Sequence, residues 1–218
     1  MMRTYAAAAA IAMAPAMAHA DVMAFTGWED TSGDAVFGTF GNVSDFGYTS
    51  APDPVYEGNH SMFMTEDPLS STPNAVVAWV DGIEAGDEIT ATMWFRGMDV
   101  GGSTAKARLW GGYYDAADTS EYSSSAGGAS GYAGENETWE SMTYTWTADG
   151  TTRFFGLQVR IYSYGDNNMI WGDNLEISVN NDDATIEVAG SASTPVVPGP
   201  AIGIAMLGGL AVVGRRRR

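Results

Sequence analysis

The stretch Glu88-Ile89-Thr90-Ala91-Thr92-Met93-Trp94-Phe95-Arg96 decides the fold class. Apolar and polar side chains alternate one for one along it. That period of two belongs to a β-strand, whose successive side chains point to opposite faces of a sheet. Ile89, Ala91, Met93 and Phe95 make a core face, and Thr90, Thr92, Trp94 and Arg96 make the other. The same alternation recurs further along the chain. In 105–114, Ala107, Leu109, Gly111 and Tyr113 oppose Lys106, Arg108, Trp110 and Tyr114. In 153–164, Phe155, Leu157, Val159 and Ile161 oppose Gln158, Arg160, Tyr162 and Tyr164.

Strands are predicted at 23–29, 61–64, 75–80, 88–96, 105–113, 139–147, 153–163 and 169–179. Asp81-Gly82, Gly86-Asp87, Asp149-Gly150 and Gly165-Asp166 supply turns. No proline lies between Pro73 and Pro195, which leaves the runs free to be interior strands. The Ser/Gly/Ala-rich segment 115–136 reads as a long loop. About eight antiparallel strands at hairpin-scale spacing, with no helical period and no internal repeat, predict an all-β sandwich.

Composition narrows the function. The chain has 218 residues, 10 Lys+Arg against 27 Asp+Glu, and a formal charge of −17. A nucleic-acid binder needs a basic footprint, so that partner is not expected. With no Cys, disulfides, thiolate metal sites and Cys nucleophiles are excluded. The two His, one of them in the N-terminal segment, leave little for triads or multi-His centres.

Both ends read as addresses. Residues 1–20 carry Arg3, an apolar Ala-rich stretch and Ala18-His19-Ala20, the pattern of a signal peptide cut by signal peptidase. Residues 21–183 form the expected sandwich domain, 184–200 a linker with a sorting motif, and 201–218 an apolar helix ending in Arg215–Arg218. The fourteen residues 201–214 would span about 21 Å as a helix, short of the ~30 Å hydrocarbon core. This suits transient membrane contact before processing better than a permanent anchor. Removing 1–20 and the four terminal arginines takes five of the ten bases and no acid, leaving about −22.

Val197-Pro198-Gly199-Pro200, the short apolar run and the Arg cluster together resemble the PEP-CTERM sorting signals that exosortases process in Gram-negative bacteria. Val-Pro-Gly-Pro stands where that family has Pro-Glu-Pro. The resemblance implies a secreted, cell-surface protein, an exosortase-like processing enzyme as partner, and a transient inner-membrane intermediate.

The second face of the three alternating runs carries Trp94, Arg96, Arg108, Trp110, Arg160 and Tyr162. Flat aromatics can stack on the apolar face of a sugar ring while Arg, Lys and Gln bond its hydroxyl rim. Alternatively, Trp94 and Trp110 plug a second buried layer and the bases pair with the many acids. Tyr113, Tyr114, Tyr122 and Tyr132 offer a further site at the edge of the sandwich.

A wider pattern covers residues 22–180. Its elements are Gly27-Trp28-Glu29, Tyr56-Glu57-Gly58-Asn59-His60, Gly82-Ile83-Glu84-Ala85-Gly86-Asp87, Thr138-Trp139-Glu140 and Trp171-Gly172-Asp173-Asn174. Their order resembles the carbohydrate-binding modules of families four and nine, which are jelly rolls of the galactose-binding-domain-like group. That resemblance implies a non-catalytic polysaccharide-binding domain, with the exopolysaccharide matrix as a candidate partner. It also implies one structural Ca2+ at Glu29 and Asp173. By parity alone Asp173 sits with Trp171, Leu175 and Ile177, and an acid facing a core needs a partner or a cation. A hydrated Asp near a strand end is the other option. Two further functions remain open: a structural surface protein without a dedicated glycan, and a glycan-active hydrolase. For the hydrolase, carboxylate pairs among 27 acids arise by chance, and His60 in a loop is its one candidate base.

Overall fold

The alternation around Met93 is obeyed in the computed structural model, which describes residues 21–191 apart from 69–70, 101–102 and 164–167. Ile89, Ala91, Met93 and Phe95 are fully buried, and Thr90, Thr92, Trp94 and Arg96 are only partly covered. The first strands are β1 Val22–Thr26, β2 Gly38–Phe40, β3 Val43–Ser50, β4 His60–Glu66 and β5 Asn74–Asp81. Then come β6 Glu88–Gly97, β7 Asp99–Val100, β8 Ser103–Thr104, β9 Lys106–Tyr114 and β10 Tyr122–Gly128. The last are β11 Glu140–Thr147, β12 Phe154–Tyr162, β13 Asn168–Val179 and β14 Thr185–Val188.

Two antiparallel six-stranded sheets result. The first runs β11-β6-β13-β4-β3, with β1 beside the C-terminal half of β13. The second runs β10-β9-β12-β5-β14, with β2 beside the start of β5. From β4 onward the chain crosses repeatedly between these sheets, with β4, β6, β11 and β13 in the first and β5, β9, β10, β12 and β14 in the second, so that of these only β9 and β10 follow one another within a sheet. This repeated crossing makes the sandwich a jelly roll. The predicted core sets face each other across it. Met93 and Phe95 join Leu109, Phe155, Leu157, Val159 and Ile161 in one apolar core. The predicted turns at Gly82, Gly86 and Gly150 all have positive φ, where glycine carries no steric cost.

A second, smaller apolar cluster lies on the outer side of the second sheet. Val76, Trp79 and Tyr114 are buried there under Phe37, Phe40 and Phe154. Room for these rings comes from Gly156. A Cβ there would meet Tyr114 Cε2 at 2.6 Å and Trp79 Cζ3 at 2.8 Å.

Three expectations are corrected. Segment 115–136 is not one long loop: it holds a 3-10 turn, Thr119–Glu121, and strand β10, which pairs with β9. Ser and Gly form poor strands by propensity, and here an existing neighbour edge supplies the order. The domain does not end at 183, because β14 pairs with β5 and Gly190 donates its N–H to Asp34. Nor do Leu175 and Ile177 share a face with Asp173. A bulge between Asp173 and Glu176 shifts the register against β6, so Asp173 faces outward with Trp94 while Leu175 and Ile177 face the core.

The two faces of β6 differ in their weight for stability. Phe95→Ala should cost about 3–5 kcal/mol in urea unfolding, because it opens a cavity in a filled core. Thr92→Ala, on the outer face, should cost less than about 1 kcal/mol. Equal losses would mean that β6 is not buried on one side only.

Candidate functional site

Four of the six predicted sugar-contacting residues come together on the outer face of the second sheet. Antiparallel pairing of β9 with β12 sets Arg108 directly opposite Arg160, and Trp110 opposite Gln158. The guanidinium carbons of Arg108 and Arg160 lie 4.9 and 4.1 Å from the Trp110 ring centre. Both distances are within cation–π range. Trp110 is thus a platform for two arginines rather than a bare stacking surface. Its indole N–H donates to Ser125 Oγ on β10 at 2.8 Å, which ties the ring to the edge strand.

The arginines are held by further hydrogen bonds. Arg108 donates from Nε to the Ala129 carbonyl. Arg160 donates from Nη2 to Gln158 Oε1 at 3.2 Å, and Gln158 Nε2 donates to the Tyr114 hydroxyl at 2.8 Å. Burial pushes that hydroxyl up to about 12, although the bond from Gln158 works the other way, so it stays protonated at neutral pH. Tyr162 meets Tyr132 edge to face at 5.0 Å, and Arg108 lies 5.6 Å from the Tyr132 ring centre. Beside them Phe40, Asn74, Tyr122, Gln158 and Arg160 line a cleft of about 180 Å³.

Tyr132 and Tyr122 are 42% and 43% exposed, so these two rings are the ones open to a sugar. Tyr113 and Tyr114 are buried and are not. Phe40 and Asn74 escaped the sequence reading. β2 is three residues long and too short to show a period, and Asn74 opens β5 with nothing to mark its face.

Trp94 and Arg96 lie on β6 in the first sheet, so they face away from this surface. Tyr56 stacks on Trp94 with ring centres 4.2 Å apart and planes at 15°. Trp139 packs against Tyr56 at 5.6 Å. Tyr56 thus covers part of Trp94, and the half-buried Trp94 and Trp110 lie on opposite sides of the sandwich.

The segment that carries Tyr56 is clamped by two carboxylates. Asp173 Oδ2 accepts the backbone N–H groups of Tyr56 and Glu57 at 3.0 and 3.2 Å, and Oδ1 accepts that of Asn174 at 2.8 Å. Glu29 Oε1 accepts the N–H groups of Asn59 and His60, and Oε2 accepts Asn59 Nδ2. His60 Nδ1 stands 3.9 Å from Glu29 Oε2. Burial pushes Asp173 up to about 6, against these donors, and the Glu29 charge adds to the rise. At Glu29 burial also works upward, but the donors from His60 and Asn59 outweigh it and hold the carboxyl below the usual range.

Glu29 and Asp173 do not fit the implied calcium site. Calcium takes six to eight oxygens, and both carboxylates here turn their oxygens toward N–H donors. No group of three or more His, Asp or Glu suited to a metal occurs among the described residues. The two acids perform one structural task, holding the 56–60 segment over Trp94. The signal segment 1–20, the motif Val197-Pro198-Gly199-Pro200 and the apolar run 201–214 lie outside the described residues. Among those described, no helix is long and apolar enough to cross a membrane.

No family model and no curated protein sequence matches this chain. Solved structures do. The CBM22-1 xylan-binding domain of Paenibacillus barcinonensis Xyn10C aligns at 12% identity and a TM-score of 0.49, covering 76% of this chain and 98% of that one. TmCBM61, solved with β-1,4-galactotriose, aligns at 11% identity and a TM-score of 0.41, covering 64% and 86%. The K1 cleaved adhesin domain of Lys-gingipain from Porphyromonas gingivalis W83 aligns at 16% and 0.46, covering 71% and 96%. Structural neighbours of this sandwich thus include carbohydrate-binding modules of families 22 and 61.

The clamp makes a pH-dependent contribution with a definite sign. The folded state holds a proton on Asp173 up to about pH 6, whereas an ordinary Asp releases it near 3.8. Stability from this group is therefore fully present below about 3.8 and lost as pH rises through 6. Urea unfolding at pH 7 and pH 4.5 should show wild type gaining on Asp173→Asn at the lower pH. A difference independent of pH would contradict the assignment.

Proposed function

We propose that this domain is a non-catalytic polysaccharide-binding module whose binding face is the outer side of the second sheet. The observation that carries the proposal is the cluster of Arg108, Trp110, Arg160, Tyr162 and Tyr132 beside a cleft. Exposed aromatic rings next to fixed donors suit a carbohydrate, which offers an apolar ring face and a polar rim. Arg, Gln and Asn do not exchange protons at neutral pH, so this set suits holding a chain rather than cutting it. The export and sorting patterns in residues 1–20 and 197–218 support a role outside the cell, at a bacterial surface or in its polysaccharide matrix.

Affinity electrophoresis in gels containing xylan, β-1,4-galactan, alginate or polygalacturonate tests the assignment. Tyr132→Ala and Arg160→Gln should each weaken retention about tenfold or more, as central interface residues do. Trp94→Ala should leave retention unchanged while lowering the unfolding midpoint, because it removes the partner of Tyr56. Retention that depends on Trp94 and ignores Tyr132 would move the site to the other sheet. Wild-type protein retained by no glycan would reject the reading.

A further inference from the structure

The binding face holds a charge imbalance. Acids outnumber bases 27 to 10 in the chain, yet Arg108 and Arg160 have no carboxylate within ion-pair distance among the described residues. Their neighbours do. Lys106, two residues before Arg108, pairs with Glu135 at 2.7 Å. Arg153, just before β12, pairs with Asp81 at 2.8 Å. Arg108 and Arg160 are also cross-strand partners, and like charges placed directly opposite repel. Trp110, the Ala129 carbonyl and Gln158 fix the two forks in place without neutralising them.

We infer that the counter-charge is supplied by the ligand, and that the polysaccharide bound on this face carries uronic acid residues, with one sugar carboxylate received by the Arg108–Arg160 pair. The inference rests on the glycan-binding reading of the same face and names its substrate class. A planar carboxylate matches a guanidinium fork through two parallel hydrogen bonds, and such charge-assisted bonds are roughly twice as strong as neutral ones. The adjoining cleft suits the rest of the sugar. Asn74 Oδ1 and Arg160 Nε, both from residues that line it, are buried without a hydrogen-bond partner among the described residues. One can accept from a hydroxyl and the other can donate to a ring or carboxylate oxygen. At about 180 Å³ the cleft is smaller than the ~300–1,000 Å³ of a drug-sized site, the scale of a single sugar along a chain. The acidic remainder of the domain repels a polyanion, but salt screens that repulsion beyond about 8 Å, and the contact pair is screened much less.

The test compares polygalacturonate with its fully methyl-esterified form, which keeps the chain and removes the charge. Isothermal titration should show the acid form binding at least about tenfold more tightly. Arg108→Gln/Arg160→Gln should abolish that difference. Should the double variant fail to fold, Arg108→Lys/Arg160→Lys keeps the charge, loses the forks and should lose most of the preference. Equal binding of acid and ester, or tighter binding of neutral xylan or β-1,4-galactan, overturns the uronate assignment and leaves the glycan face standing. Dextran sulfate binding as well as polygalacturonate shows that charge alone is read, and also overturns it. Binding to none of these polymers overturns the assignment and the glycan face together.

Discussion

The strands at the centre of each sheet give alternate side chains to a single apolar core between the two sheets, and they reach it from opposite sides. That constraint organises the molecule. β6 in the first sheet and β9 and β12 in the second send Phe95, Leu109 and Leu157 to the same interior. Their remaining residues are thereby sent to two different outsides. Trp94 and Trp110 occupy equivalent places in the alternation, yet the whole thickness of the sandwich lies between their sheets. The two outer faces then differ. On one, Tyr56 lies over Trp94 in a segment held by Asp173 and Glu29, and on the other Tyr132 and Tyr122 are exposed beside the half-buried Arg108 and Arg160.

The core was legible because period two is strict in β6 and holds over the first half of β9 and the end of β12, and all its predicted members are buried. What local periodicity does not encode is which sheet a strand joins. By parity alone Trp94 and Trp110 fall on one face, although the pairing of β6 with β13 and of β9 with β12 keeps them apart. The bulge before Glu176 is a second limit: one extra residue reverses parity, and nothing in Asp173-Asn174-Leu175 shows it except that Asn tolerates the left-handed backbone found at Asn174. Long-range cover is a third. Only the fold brings Tyr56 onto Trp94, because the contact joins segments almost forty residues apart. Strand β10, rich in Ser and Gly, takes its order from the edge of β9 rather than from its own sequence.

Trp110 links the fold to the proposed activity. Its ring balances two guanidiniums that would otherwise repel across the β9–β12 ladder, and its N–H fastens the group to β10. Holding the arginines in place before a ligand arrives reduces the ordering cost of binding, since long flexible side chains are already fixed. The network behind them, Arg160 to Gln158 to the Tyr114 hydroxyl, extends that rigidity into the small apolar cluster of Trp79 and Val76. An acidic chain thus carries a localised, preset pair of cations on this face.

The most direct measurement follows the indole N–H resonances of the protein by NMR while a retained oligosaccharide is titrated in. The signal of Trp110 should move with ligand, since its ring and its bond to Ser125 form the floor of the face, and that of Trp94 should stay in place. Movement of Trp94 with Trp110 unchanged would show that the glycan sits on the opposite sheet, contrary to the structure's division of labour.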